Sequence, residues 1–188
     1  MNNEAQTPVP EKVFMQIIKA QAGDQFELND LVNSAYRGES SKKGWTTEAD
    51  FLDGQRSDPA GLEKDILDPD IQIFKAVVNK EITACVKLQK KDDYLFLSML
   101  TSKPSLQNHG IGKTLLNFCE KYAVENQTWK IRMFVISIRT ELINWYLSKG
   151  YKPTGETEAF PYGDERFGIP KRFDLEFIVL EKKLTKIF

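Results

Sequence analysis

The sequence predicts an α/β fold with a mixed, mostly antiparallel central sheet flanked by helices. Three observations point that way. First, three strand-like runs follow one another between Ile71 and Leu100, separated only by turns at Asn79-Lys80 and Lys90–Asp93, the pattern of an antiparallel meander. Second, helical and strand patterns interleave from Ile111 to Leu180, which puts helices across a sheet. Third, the chain has 188 residues, 41% hydrophobic and 28% charged, with 12 Phe, 6 Tyr and 3 Trp, enough apolar bulk for a sizeable core in one domain.

The elements follow in order. Residues 1–11 are polar with two prolines and read as a flexible tail; residues 12–188 read as a single domain. Val13–Ala20 is β-rich and predicts a first strand. Gly23–Tyr36 predicts a helix whose apolar side holds Phe26, Leu28, Leu31, Val32 and Ala35. A polar loop follows, with Gly38, Gly44 and Trp45. Thr46 or Thr47 can cap a helix starting near Glu48 and anchored by Phe51 and Leu52. Gly54–Pro59 breaks it, and Ala60–Leu67 predicts a second short helix. The strands Ile71–Val78, Glu81–Gln89 and Tyr94–Leu100 come next.

Ile111, Leu115, Phe118, Cys119 and Tyr122 stand at helical spacing as far as Glu125. Trp129–Ile136 reads as a strand, and Thr140–Lys149 as a helix ended by Gly150. A strand begins at Tyr151, and Phe173–Leu180 is the last. Between them Phe160–Pro170 carries two prolines and two glycines, and long loops in compact domains are often functional.

Charge and composition narrow the function. A net charge of -1 argues against a general nucleic-acid binder, which shows a basic excess. No apolar run approaches the ~20 residues of a membrane span. The first residues, MNNEAQTPVPEK, have no apolar core of the kind a signal peptide needs, so the expected location is cytoplasmic. Cys85 and Cys119, the only cysteines, each sit in an apolar pattern and read as buried thiols, with no disulfide or zinc spacing. His109 is the only histidine, which excludes a histidine-based metal site or triad, and no metal is expected.

The most informative stretch is Leu100–Lys121. A strand enters a helix through Gln107-Asn108-His109-Gly110-Ile111-Gly112, which leaves backbone N–H groups at a helix start, where an anion binds. Gly112-Lys113-Thr114 matches the end of a nucleotide P-loop, but Gln107 stands where its first glycine belongs. Gly110-Ile111-Gly112 begins a dinucleotide fingerprint, but Leu115 stands at the third site. Two glycines in a first turn need a reason, since each is worth about 1 kcal/mol less than Ala in a helix.

The spacing that fits is Q-x-x-G-x-G, through Gln107, Gly110 and Gly112. It resembles the signature of the GNAT superfamily of acetyl-CoA-dependent N-acyltransferases. Leu100–Pro104 is similar to that family's strand end, with Ser102 where an aliphatic residue is usual. Trp145–Pro153 resembles its second signature, a Tyr four residues before the Gly of a Gly-aromatic pair. The likeness runs from about Val13 to Leu180 and implies the GNAT (acyl-CoA N-acyltransferase) fold.

It also implies acetyl-CoA as co-substrate and the roles that follow. The pyrophosphate would be held by N–H groups from Asn108 through Lys113, including His109 and Ile111, with Gln107 or Lys113 as side-chain anchor. The backbone at Leu100, Thr101 and Ser102 would bind pantetheine as a further strand. The Leu100 N–H would polarise the thioester carbonyl, and Tyr146 would protonate or hydrogen-bond the leaving sulfur. Trp145 would only pack. Arg139 stands where the family often has an Asn that touches CoA; it can reach a phosphate or form an ion pair.

The implied reaction is direct attack by an amine. A lysine-like amine needs about 4.6 kcal/mol to lose its proton at pH 7, so a base is expected, with Glu39, Glu48 and Glu81 as candidates. The least generic segments supply acceptor candidates: Arg37, Trp45, Glu48 and Arg56 from the first, Tyr162 and Arg166 from the second. They suggest a small polar, amino-acid-like or carboxylate-bearing amine, with a peptide amine the other choice. A CoA-binding sensor without turnover is the alternative. A homodimer through an exposed final strand is open.

Overall fold

The computed structural model describes residues 15–185. The expected 1–11 tail and the beginning of the Val13–Ala20 strand lie outside them. The elements are β1 (Gln16–Lys19), α1 (Gln25–Tyr36), α2 (Gly38–Ser41), β2 (Leu52–Asp53), α3 (Pro59–Leu67), β3 (Ile71–Val78), β4 (Glu81–Lys90) and β5 (Leu95–Ser102). They continue with α4 (Ile111–Glu125), β6 (Lys130–Ile136), α5 (Thr140–Ser148), β7 (Lys152–Ala159), β8 (Ile169–Pro170) and β9 (Glu176–Lys183). Seven strands form a mixed sheet in the order β1-β3-β4-β5-β6-β9-β7, and β2 pairs with β8 in a separate ribbon.

Local chemistry sets several boundaries. Pro59 opens α3, and the Asp58 carboxylate accepts the Gly61 N–H at 2.8 Å, a side-chain N-cap. Gly110 precedes α4 at φ 81°, which only glycine adopts without strain. The meander turns at Asn79 and Lys80, both at positive φ, as a two-residue hairpin requires.

Helices cover both faces of the sheet. On one side, Leu115, Leu116, Cys119 and Ala123 of α4 pack on Val86, Leu88 and Leu97. On the other, Leu28, Leu31 and Val32 of α1 and Leu62 of α3 pack on Ile71, Ile73 and Ile82. A third cluster, Phe51, Leu52, Ile136, Phe160 and Leu175, lies under the 160–170 segment.

The site is made by two irregularities of β5. Its register with β4 runs Lys87↔Ser98 and then Cys85↔Thr101, so Met99 and Leu100 together oppose Val86 alone. This is a β-bulge, with Met99 at φ 54°. Leu95 and Leu97 belong to the α4 side, whereas Met99 belongs to the α1 side, so the extra residue moves the chain out of phase. The second irregularity faces β6. The two strands run parallel and pair only at Leu95↔Ile131 and Phe96↔Arg132, after which they part. The far half of β5 therefore presents its backbone to a cleft.

Two expectations are corrected. No helix starts at Glu48: Phe51 and Leu52 both donate to the Glu48 carbonyl in a single turn, and Leu52-Asp53 then pairs with Ile169-Pro170. The apolar pair Phe51-Leu52 is equally consistent with a helix face and a strand, and a partner strand remote in sequence decided between them. The final strand is also not free to pair with a second copy. β9 is inserted between β6 and β7, with β6 along seven residue pairs from Lys130↔Lys183 to Ile136↔Phe177, and the sheet ends at β1 and β7. No helix among the described residues is long and apolar enough to cross a membrane.

Candidate active site

Two cavities meet at the bulge. The first, about 380 Å³, is floored by the end of β5 and walled by the loop into α4 and by α5. The second, about 540 Å³, opens on the far side toward β6 and the 160–170 segment. Tyr36, Leu100, Arg139, Leu142 and Tyr146 line both, so the junction is where two bound molecules would touch. The Tyr36 hydroxyl donates to the Leu100 carbonyl at 3.1 Å, which fixes the bulged peptide from the α1 side.

The first cavity suits an anionic, elongated ligand. The N–H groups from Asn108 to Lys113 find no acceptor among the described residues, as expected at the start of α4. Lys113 and Lys149 line the groove with Arg139, and no carboxylate among the described residues does. Gly110 and Gly112 serve different needs. Gly110 answers the backbone's φ of 81°, with open space around a notional Cβ. At Gly112 an added Cβ would meet only Trp145, at 3.6 Å, so packing does not forbid a side chain there. What that methyl group would occupy is the groove itself.

Gln107 is used in another way than as a free anchor. Its Oε1 accepts the Trp45 N–H at 2.9 Å, and Gly44 makes this approach possible, since a Cβ there would lie 2.5 Å from Oε1. The loop before β2 is thereby tied to the α4 entrance, and Trp45 comes to the first cavity, its ring 6.4 Å from that of Trp145. Trp145, expected only to pack, lines the same groove. His109 is exposed, its Nδ1 2.8 Å from the Gln107 carbonyl, and lines neither cavity. Thr101, Ser102, Asn108 and Ile111 all line the first cavity.

Tyr146 is 5% exposed, and burial raises its pKa far above the ordinary phenol value, with Tyr36 adding to the rise. It is a lasting hydrogen-bond donor at the junction. Neither cysteine competes as a nucleophile: burial pushes Cys85 up to about 12 and raises Cys119 as well, and neither lines a cavity.

Glu48 is the buried carboxylate beside the junction. One oxygen pairs with Arg37, and the other accepts from Arg139 Nη1 at 2.8 Å. Burial raises its pKa, but Arg139 and Arg37 more than offset that, so it is held below the ordinary range. Such a carboxylate is a poor proton acceptor. Glu39 and Glu81 are surface residues paired with Lys42 and Lys103, which lower them too, and neither lines either cavity. Arg139 takes the ion-pair alternative, donating also to Thr46 Oγ1 at 3.0 Å, while still lining both cavities.

The second cavity gathers Glu48, Arg56 and Arg166 of the expected acceptor residues. Arg37 and Tyr162 line neither cavity. Arg37 is buried and donates to the Phe167 carbonyl at 3.2 Å, fastening the 160–170 segment to the end of α1. Tyr162 receives the Leu175 N–H at 2.7 Å, a loop-internal tie. Sequence reasoning missed Tyr36, as well as Phe96, Phe134 and Phe177, which line this cavity from three different strands. Each stands singly in a strand, and only sheet order brings them together. Among the described residues no group of three His, Cys, Asp or Glu is placed to hold a metal ion.

Comparison with known proteins agrees with this geometry. The family model for the acetyltransferase (GNAT) domain matches residues 33–161. The fold is similar to the ribosomal-protein-S18-alanine N-acetyltransferase of Escherichia coli, at 13% identity and a TM-score of 0.68, over 92% of this chain and 95% of that one. It is similar to an N-acetyltransferase of Staphylococcus aureus Mu50, at 13% identity and a TM-score of 0.69, over 90% and 97%. It is also similar to the PaiA N-acetyltransferase of Thermoplasma acidophilum, solved in complex with coenzyme A, at 18% identity and a TM-score of 0.63, over 90% and 99%. The bulged and splayed central strand, the glycine turn into α4 and the family match lead to one conclusion: the chain belongs to the GNAT acetyltransferase family.

Proposed function

We propose that residues 12–188 act as one domain that moves the acetyl group of acetyl-CoA to a primary amine, of a small molecule or a peptide, by direct attack. The observation that carries this reading is the meeting of the two cavities at Leu100 and Tyr146. Acetyl-CoA lies in the first, its pyrophosphate on the N–H groups of Asn108–Lys113 with Lys113 as counter-charge. The pantetheine runs along Leu100–Ser102, where β5 has left β6. The Leu100 N–H polarises the thioester carbonyl, an oxyanion-type contact.

The amine enters from the second cavity as the free base. Its nitrogen lone pair forms the bond to the acetyl carbon while the carbon–sulfur bond breaks. The bonding pair leaves with sulfur, which the Tyr146 hydroxyl stabilises by a hydrogen bond. The proton that nitrogen then gives up balances the one that sulfur gains. Tyr146→Phe tests this: kcat is expected to fall by about 10–100-fold, with acetyl-CoA affinity nearly unchanged, because the lost contact acts in the transition state. Unchanged turnover removes Tyr146 from the role.

One observation favours a second reading, a CoA-binding sensor without turnover. The carboxylate beside the junction is occupied by two arginines, and among the described residues no carboxylate or histidine lines both cavities. Thiol release from acetyl-CoA across an amine panel separates the two: stimulation by some amine supports the enzyme, and binding without release supports the sensor.

A further inference from the structure

We propose that the acceptor is a small amine carrying a carboxylate and an apolar, ring-sized body, read by Arg56 and by an aromatic floor in the second cavity. This rests on the reading that the cavity receives the acceptor, and it narrows the expectation of a small polar, amino-acid-like or carboxylate-bearing amine.

The floor is made by Phe96, Phe134 and Phe177. The Phe96 and Phe134 ring centroids are 4.9 Å apart, and those of Phe134 and Phe177 are 6.2 Å apart. Phe134 is 40% exposed in the middle of a strand, an unusual place for an uncovered ring. A floor of aromatic edges and faces favours a flat or branched apolar body.

Of the cations lining the cavity, Arg56 and Lys64 form no ion pair among the described residues, and Arg56 is the one that rests against a residue of the junction. Lys87 is paired with Asp65 at 2.8 Å, and Arg166 with Asp164. Arg37 and Arg139 share Glu48. The Arg56 guanidinium has no hydrogen-bond acceptor among the described residues and rests over the Tyr36 ring, its Cζ 5.4 Å from the centroid. Its backbone is held in place: Asn33 Oδ1 accepts the Arg56 N–H at 2.7 Å, and the Asn33 side-chain amide donates to the Ser57 carbonyl at 3.0 Å. A fixed fork of donors facing a cavity is suited to a carboxylate, which it can bind through two parallel hydrogen bonds. Because Tyr36 reaches Leu100 through its hydroxyl, this cation lies one ring away from the reacting junction.

The test compares matched amines with the full chain. Phenylalanine, phenylethylamine, phenylalanine amide, alanine and spermidine are offered with acetyl-CoA, and thiol release is followed. Binding of each to the CoA-loaded protein is measured in parallel by calorimetry. Phenylalanine is expected to exceed phenylethylamine and the amide by about tenfold or more in kcat/KM, and alanine by a similar factor. Arg56→Met should collapse the first ratio toward one, and Arg56→Lys should restore part of it. Equal or better use of phenylethylamine, the amide or spermidine overturns the proposal while leaving acetyl transfer standing. Selective binding of phenylalanine without thiol release upholds the acceptor class and overturns the transfer reading. No selective binding and no release overturns both.

Discussion

Burial raises the pKa of both tyrosines at the junction, Tyr36 and Tyr146. Neither ionises in the working range, so neither should produce a falling limb in the pH–rate profile below about pH 10. The proposed amine acceptor is different: its ammonium must lose a proton, and among the described residues no carboxylate lines both cavities to assist. With a lysine-like amine, kcat/KM is expected to rise close to tenfold per pH unit from pH 6 to 9; a plateau beginning near pH 6 would show that a base is present. At the glycine turn, Gly112 separates a role in packing from a role toward ligand. Gly112→Ala should leave the melting temperature unchanged or higher, because a helical Ala is favoured by about 1 kcal/mol. Coenzyme A affinity should still fall by about tenfold as the methyl group enters the groove. A loss of fold stability instead would mean that protein packing, not ligand, accounts for the glycine. The two motif glycines were legible in sequence; their separate reasons required φ values and the position of Trp145.

Three elements converge on Glu48. Arg37 follows α1, Arg139 precedes α5, and Glu48 sits in the turn before β2, so a single carboxylate joins them. Arg37 carries the tie onward to Phe167. Glu48→Gln keeps the shape but leaves two buried guanidinium groups uncompensated, which is expected to cost about 3–5 kcal/mol. For a chain of this size that is a fall of roughly 10 °C in Tm, with faster proteolysis in the 160–170 segment. A Tm within 2 °C of the parent's would show that the pair is not what joins the elements. Because the carboxyl is held below its ordinary range, this contribution is present at neutral pH and is lost as pH falls through the folded value. From sequence, Glu48 reads as a first-turn acid of a helix and as a candidate base or acceptor contact. Local pattern could not distinguish that from a buried ion pair, because its partners lie 11 and 91 residues away.

Across the whole molecule, the buried weak acids act together. Tyr36, Tyr146, Tyr151, Cys85 and Cys119 all have raised pKa values, chiefly from burial. A raised value means that the native state keeps protons which the unfolded chain has released, so stability falls as pH rises. For Cys85 the window runs from 9.0 to about 12. Each such group contributes about 1.4 kcal/mol per pH unit within its window. Urea midpoints are therefore expected to fall steeply between pH 9 and 11. A flat profile there would show that these groups reach water in the native state.

The sequence by itself determined most of the elements and the glycine turn at the start of α4. Strand and helix periods are local, so the limits of β3 and α4 were readable from their own residues, and so was the motif at Gln107, Gly110 and Gly112. The tertiary structure alone decided four things: the bulge at Met99-Leu100, the return of β9 between β6 and β7, the ribbon that replaced a helix after Glu48, and the aromatic floor beside Arg56. Each depends on which strand lies next to which. That choice is made by contacts between residues far apart in the chain, and no window of sequence contains both partners.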